Sequence, residues 1–183
     1  MRMLQRTILM CLFAPAVAVW AEESPISASN KFFYNGAQKI LLRAAETMPE
    51  EHYGFKPVDT VRSFGQIVGH VADSQYVFCS VVLGEKNPAP KIEKTKTSKA
   101  DLAAALKESF TYCDRAYDAM TDKSAAEKVK FFGGIDTTKI GVLSVNQTHS
   151  IEHYGNMVTY MRLKGLVPPS TERAQAPRKP SND

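Results

Sequence analysis

The stretch GVLSVNQTHSIEHYGNMVTYMRLK, Gly141 to Lys164, decides the fold class. Apolar residues recur in it at steps of three and four, and Gly165 followed by Leu166-Val167-Pro168-Pro169 stops the pattern, so the stretch reads as one long helix. At about 100° per residue, His149, His153, Val142, Val145, Asn146, Asn156 and Tyr160 fall within roughly 60° of one another, on a face otherwise built for a core. Two imidazoles four residues apart therefore point inward together. Buried polar rings need partners, and such a pair has the geometry to share a metal ion if a third ligand comes from another helix.

Working outward, three more helices are legible. Lys31 to Met48 carries an apolar stripe through Phe33, Ala37, Ile40, Leu41, Ala44 and Met48, and Pro49 follows its end. Ser63 is a cap for a helix over Phe64 to Leu83 that Gly84 ends. Ser98 and Asp101 resemble a capping pair for a third, along which Leu102, Leu106, Phe110, Cys113, Tyr117 and Met120 keep helical spacing. No strand-like alternation stands out, and Phe131-Phe132-Gly133-Gly134 reads as a loop tucked onto the bundle by its aromatics. The expected fold is thus all-α, a four-helix bundle. The Pro49 to Arg62 connection is long enough to be a crossover that lets the first two helices run parallel.

A length of 183 residues with 44% hydrophobic content suits one domain with a single core. Residues 1–21 read as a signal peptide: Arg2 and Arg6 precede an apolar run that closes on Val19-Trp20-Ala21. Cleavage before Glu22 leaves the bundle over 22–169, a polar, proline-rich tail over 170–183 expected to be disordered, and no membrane span. The mature protein is then exported, periplasmic or extracellular. The formal charge falls from +4 to +2 with the two arginines, too weak a field for a nucleic-acid partner. The lysines from Lys86 to Lys99 read as a solvated loop. Cys79 and Cys113 would be candidates for a disulfide after export. If the second and third helices form an antiparallel hairpin, however, they lie at about 6 Å and about 22 Å from one end of it, so two free buried cysteines are expected.

The third ligand is His70, in FGQIVGHVADSQYVF, on a face shared with Gln66, Ile67, Asp73, Ser74, Val77 and Val81. Of the four histidines in the chain, three fall on inward helical faces and only His52 lies in a loop. Three imidazoles from two facing helices leave coordination positions open, as catalytic zinc sites do. The expected cofactor is a divalent ion, zinc first, with nickel, iron and manganese also admitted. His149-Ser150-Ile151-Glu152-His153 matches the H-x-x-E-H pattern of inverted zinc proteases, but only Glu172 and Asp183 follow as acidic ligands, so a protease is rejected. Glu152 and Asp73 are candidates for proton transfer, and Asn146, Asn156 and Tyr160 for a polar pocket; each is equally an ordinary residue at the edge of a core.

FGQIVGHVADSQYVF and HSIEHYGNMVTYMRLKGLVPPS together resemble the DinB-like family of four-helix bundles, over about Ser29 to Pro169. The superfamily includes metal-dependent thiol transferases that act with low-molecular-weight thiols. The resemblance implies an up-up-down-down bundle, with the family's metal histidines falling on His70, His149 and His153. It also implies a small-molecule substrate, with a low-molecular-weight thiol as the first class to consider, and leaves a homodimer open. The expected function is that of an exported metal-dependent transferase or hydrolase; the alternative is a bundle that holds a metal or small ligand without turnover.

Overall fold

The computed structural model describes residues 24–175. The chain runs through α1 (Pro25–Thr47), α2 (Phe64–Leu83), α3 (Ile92–Thr95), α4 (Lys99–Asp118), α5 (Asp122–Ala125), β1 (Lys128–Phe131), β2 (Ile135–Thr138), α6 (Lys139–Leu163) and α7 (Pro169–Gln175). The four long helices α1, α2, α4 and α6 make the bundle. Local signals place their ends. Ser63 and Gln66 form a reciprocal capping box at the start of α2, and Gly84, at φ 69°, closes it in a left-handed turn that a side chain would strain. Ser98 and Thr138 cap α4 and α6 one-sidedly, each side-chain oxygen accepting from a backbone N–H three residues on, of Asp101 and Gly141. The first helix starts earlier than its apolar stripe, at Pro25, whose ring is suited to a first helical position.

The helix directions differ from the up-up-down-down order expected from sequence. Lys99, opening α4, donates to the carbonyls of Glu46 and Met48 at the end of α1, while Tyr34 reaches the Phe110 carbonyl and Asp114 late in α4, so these two helices are antiparallel. Along α2 and α4, Gly65 lies against Leu102, Cys79 joins Cys113, and Glu85 beyond α2 meets Tyr112 and Arg115. Those two run parallel. The α6 helix returns antiparallel to α2, its Tyr160 hydroxyl on the Arg62 carbonyl and its Asn146 on Gln75. The order is therefore up-down-down-up, with α1 and α2 at opposite corners and each packed on α4 and α6.

The reason lies in the connections. Pro49 to Arg62 is a folded corner rather than a crossover: the Tyr53 hydroxyl donates to the Ala45 carbonyl at 2.6 Å, and Gly65 N–H to the Tyr53 carbonyl at 2.8 Å. The traverse of the bundle is made by Glu85 to Ser98, which α3 pins against α2.

Parallel α2 and α4 also correct the cysteines. Cys79 and Cys113 lie about 22 Å and about 21 Å from the starts of their helices at ~1.5 Å per residue, so they meet. They form a disulfide, with Cα atoms 5.2 Å apart.

Between α5 and α6 the aromatic loop is a short antiparallel hairpin, β1 and β2, paired from Lys128 with Thr138 to Phe131 with Ile135. Each strand has four residues, too few for alternation to show in sequence. Gly133 and Gly134 take the positive φ its turn needs, and Phe131 and Phe132 pack on Phe78, as expected of that loop. The tail expected to be disordered from residue 170 begins instead as α7. There Ser170 N–H donates to the Tyr154 hydroxyl at 2.9 Å and Arg162 donates to Thr171 at 2.9 Å. The expected signal peptide and residues 176–183 lie outside the described residues. Among the described residues no helix is long and apolar enough to cross a membrane.

Candidate metal centre

The antiparallel crossing of α2 and α6 brings His70 opposite His149 and His153. One ligand-capable nitrogen from each of the three rings lies within 4.8 Å of the other two. His149 Nε2 stands 3.1 Å from His70 Nε2 and 3.1 Å from His153 Nε2. His52, by contrast, sits in a 3-10 turn at Glu50–His52, away from the cluster.

Protons alone do not satisfy this arrangement. A neutral imidazole nitrogen either donates one in-plane hydrogen or offers one in-plane lone pair, so His149 Nε2 serves one of its two short contacts and leaves the other without a hydrogen along it. A cation at the meeting point uses all three lone pairs. Tetrahedral zinc with nitrogen ligands separates those nitrogens by about 3.3 Å, close to the spacing found. The residues present thus fit a divalent ion. Burial pushes the His149 imidazole down to about 4, with the neighbouring His153, His70 and Arg62 charges acting in the same direction. It lowers His153 too, with His70 next in effect. Neutral imidazoles are what a metal needs.

Among the described residues, one of the three rings has a protein partner on its other nitrogen. His70 Nδ1 lies 3.1 Å from Glu93 Oε2, whereas His149 Nδ1 and His153 Nδ1 are buried and meet no hydrogen-bond partner among the described residues. Glu93 also receives Arg62 Nε on Oε1 at 2.8 Å. It stands on α3, whose first amides, Ile92 N–H and Glu93 N–H, donate to the Asp73 carboxylate at 2.7 and 2.9 Å. Gly69 is what lets α3 approach: a Cβ there would come within 2.7 Å of Glu93 Cα.

The remaining candidates separate. Asp73 is engaged with the α3 backbone rather than turned to the histidines. Asn146 is buried deeper, donating to Gln75 Oε1 at 3.0 Å and lying against both disulfide sulfurs. Glu152, Asn156 and Tyr160 line one cleft with His153, Glu93, Arg62, Lys56 and Gln66, of about 650 Å³. In that cleft Asp59 is paired with Lys56, and Glu93 with Arg62 and His70. The Glu152 side chain forms no hydrogen bond or ion pair among the described residues. Val145, expected on the inward face, is 40% exposed. On the other flank the Phe78 ring stands edge-on to His149 with centroids 5.5 Å apart, backed by Phe131 and Phe132.

Sequence reading missed Glu93 and Arg62. Glu93 sits in a lysine-rich connection that reads as solvated, and its pairing with a residue 23 positions earlier depends on the fold of that connection. No local pattern announces it.

A family model described as the DinB superfamily matches residues 34–157. The protein YjoA of Bacillus subtilis (strain 168) is 27% identical over 133 residues, covering 70% of this chain and 84% of its own. Among solved structures, a DinB-like protein from Bacillus cereus ATCC 10987 superposes with a TM-score of 0.69 at 19% identity, over 78% of this chain and 95% of that one. A variant of a mycothiol-dependent maleylpyruvate isomerase superposes with a TM-score of 0.57 at 12% identity, over 72% of this chain and 59% of that one. At such identities the structural likeness speaks for the fold.

Proposed function

This chain belongs to the DinB superfamily, and from that premise we propose that it is an exported metal-dependent enzyme, a thiol transferase or hydrolase, in which His70, His149 and His153 hold one divalent ion, zinc first. The observation that carries the reading is the convergence of three Nε2 atoms beside an open cleft. A divalent ion bound there supplies Lewis acidity toward a thiol or water nucleophile. The chain's own residues do the rest. His153 forms part of the wall of the cleft, so a small molecule entering it arrives at the histidines, with Gln66 and Asn156 as hydrogen-bonding groups and Lys56 and Arg62 as cations along its sides. The Phe78, Phe131 and Phe132 rings limit access of water from the opposite flank. Of the carboxylates that line the cleft, Glu152 has its oxygens uncommitted among the described residues and takes the proton from the nucleophile; Asp73, outside that lining and engaged with α3, does not. A thiol is included because the mycothiol-dependent isomerase shares this fold.

Export is part of the proposal, supported by the Arg2 to Ala21 pattern and by the Cys79–Cys113 disulfide, a bond that persists in oxidising compartments.

Metal analysis of the mature protein, followed by a thiol and ester substrate screen, tests the reading. One divalent ion per chain is expected, with turnover that falls roughly 10²- to 10⁴-fold in Glu152→Gln while the ion is retained. Unchanged turnover in Glu152→Gln removes its role in proton transfer. Metal without turnover in the wild type moves the protein to a binding function.

A further inference from the structure

The three histidines differ in how they are held. His149 and His153 share a helix, and their spacing of four residues sets their mutual geometry. His70 comes alone from the facing helix, and nothing in α2 chooses which of its nitrogens faces the cluster. The structure supplies that choice from a separate element. Asp73, one turn along from His70, accepts both leading amides of α3. Gly69 leaves room for the α3 backbone to lie on α2. Glu93, so placed, has Oε2 on His70 Nδ1 and Oε1 on Arg62 Nε. A carboxylate accepts only, so the proton of a neutral His70 is drawn to Nδ1 and the Nε2 lone pair is presented to His149 and His153.

We propose that Glu93 is a positioning residue for the metal centre: held by Asp73 and Gly69 through α3 and steered by Arg62, it sets the tautomer and ring plane of His70. Both of its oxygens are committed, so it orients a ligand and does not itself exchange protons with substrate. Because Arg62 also lines the cleft, the same carboxylate ties a cleft wall to a ligand ring. The proposal rests on the three-histidine reading above, and it concerns the chain's residues whether or not turnover is found.

Three proteins test it: wild type, Glu93→Ala and Glu93→Gln. The glutamine keeps an acceptor oxygen for His70 Nδ1–H without the charge. Zinc affinity, measured by competition with a chromophoric chelator, should fall about 10- to 100-fold in Glu93→Ala and return to within a few-fold of wild type in Glu93→Gln. The metal-free melting temperatures should stay together, which separates orientation from folding. Nitrogen-15 NMR of the metal-free proteins should show His70 protonated on Nδ1 in wild type and as a mixture of tautomers in Glu93→Ala. Wild-type zinc affinity in Glu93→Ala overturns the proposal, as does a loss of affinity matched by unfolding of the metal-free variant. If the wild type binds no zinc, the three-histidine reading fails, while the tautomer still decides the role of Glu93: the same mixture in both proteins overturns it.

Discussion

Two polar layers lie between α2 and α6, about one helical turn apart, and they are built on opposite plans. The lower layer joins Gln75, Asn146 and Ser150. Asn146 donates to Gln75, Gln75 donates to Ser150 at 3.0 Å, and the Cys79–Cys113 disulfide lies against Asn146. All three polar residues are buried, and of their side-chain oxygens and nitrogens Asn146 Oδ1 alone meets no partner among the described residues. The upper layer joins His70, His149 and His153 with nitrogens converging on one point, and it borders a cleft. Amides carry donors and acceptors together, so Asn146, Gln75 and Ser150 pair with one another in a chain. Three imidazole nitrogens facing one another cannot, and the deficit is what a cation fills. Polarity in a core is thus not a mark of function; unsatisfied convergence beside an opening is.

Substitutions in the two layers should therefore fail differently. His149→Ala should weaken zinc binding on the order of 10³-fold, because one of three ligands is lost from a site whose binding energy they share. It should also remove most of the rise in melting temperature that zinc confers on the wild type. Chelator competition and thermal melts with and without zinc read both. Zinc affinity unchanged in His149→Ala would erase the distinction between the layers.

In the lower layer, replacing Cys79 and Cys113 together by Ala should cost about 4 kcal/mol, the chain-entropy expectation for a bond spanning 34 residues. Urea denaturation measures this. Zinc affinity should stay near wild type in the folded variant; a parallel loss of zinc would show that the lower layer sets the geometry of the upper one.

The smallest effect is in acid. In the metal-free fold His149 is held at about 4, against 6.5 for an ordinary histidine, so between these values the unfolded chain takes up a proton that the folded chain refuses. This contribution to stability is complete above pH 6.5 and is lost as pH falls toward 4. Gln75, Asn146 and Ser150 do not titrate and add no slope. Urea melts with chelator at pH 7.5, 5.5 and 4.5 should show the decline, and His149→Ala should make it shallower, leaving the part contributed by His153, which burial also lowers.

Local chemistry was enough to read the long helices, since periodicity, Ser63, Ser98, Gly84 and Gly165 act within a few residues of where they stand. The same holds for the metal candidates: His149 and His153 share a face by spacing alone, and His70 lies on the apolar face of the only other helix that carries an imidazole. The resemblance to DinB-like bundles carried the same three residues. Helix direction was another matter. Pro49 to Arg62 and Glu85 to Ser98 are equal in length and each holds two prolines, and which of them turns a corner and which crosses the bundle depends on Tyr53 reaching Ala45 and on Asp73 gripping α3. From that one choice follow the parallel α2 and α4, the Cys79–Cys113 bond and the arrival of Glu93 at His70. Periodicity and caps are properties of neighbouring residues, so the chain displays them directly. The partners of a connecting segment are set by which backbone and side-chain groups it can satisfy elsewhere in the fold, and only the packed structure decides that.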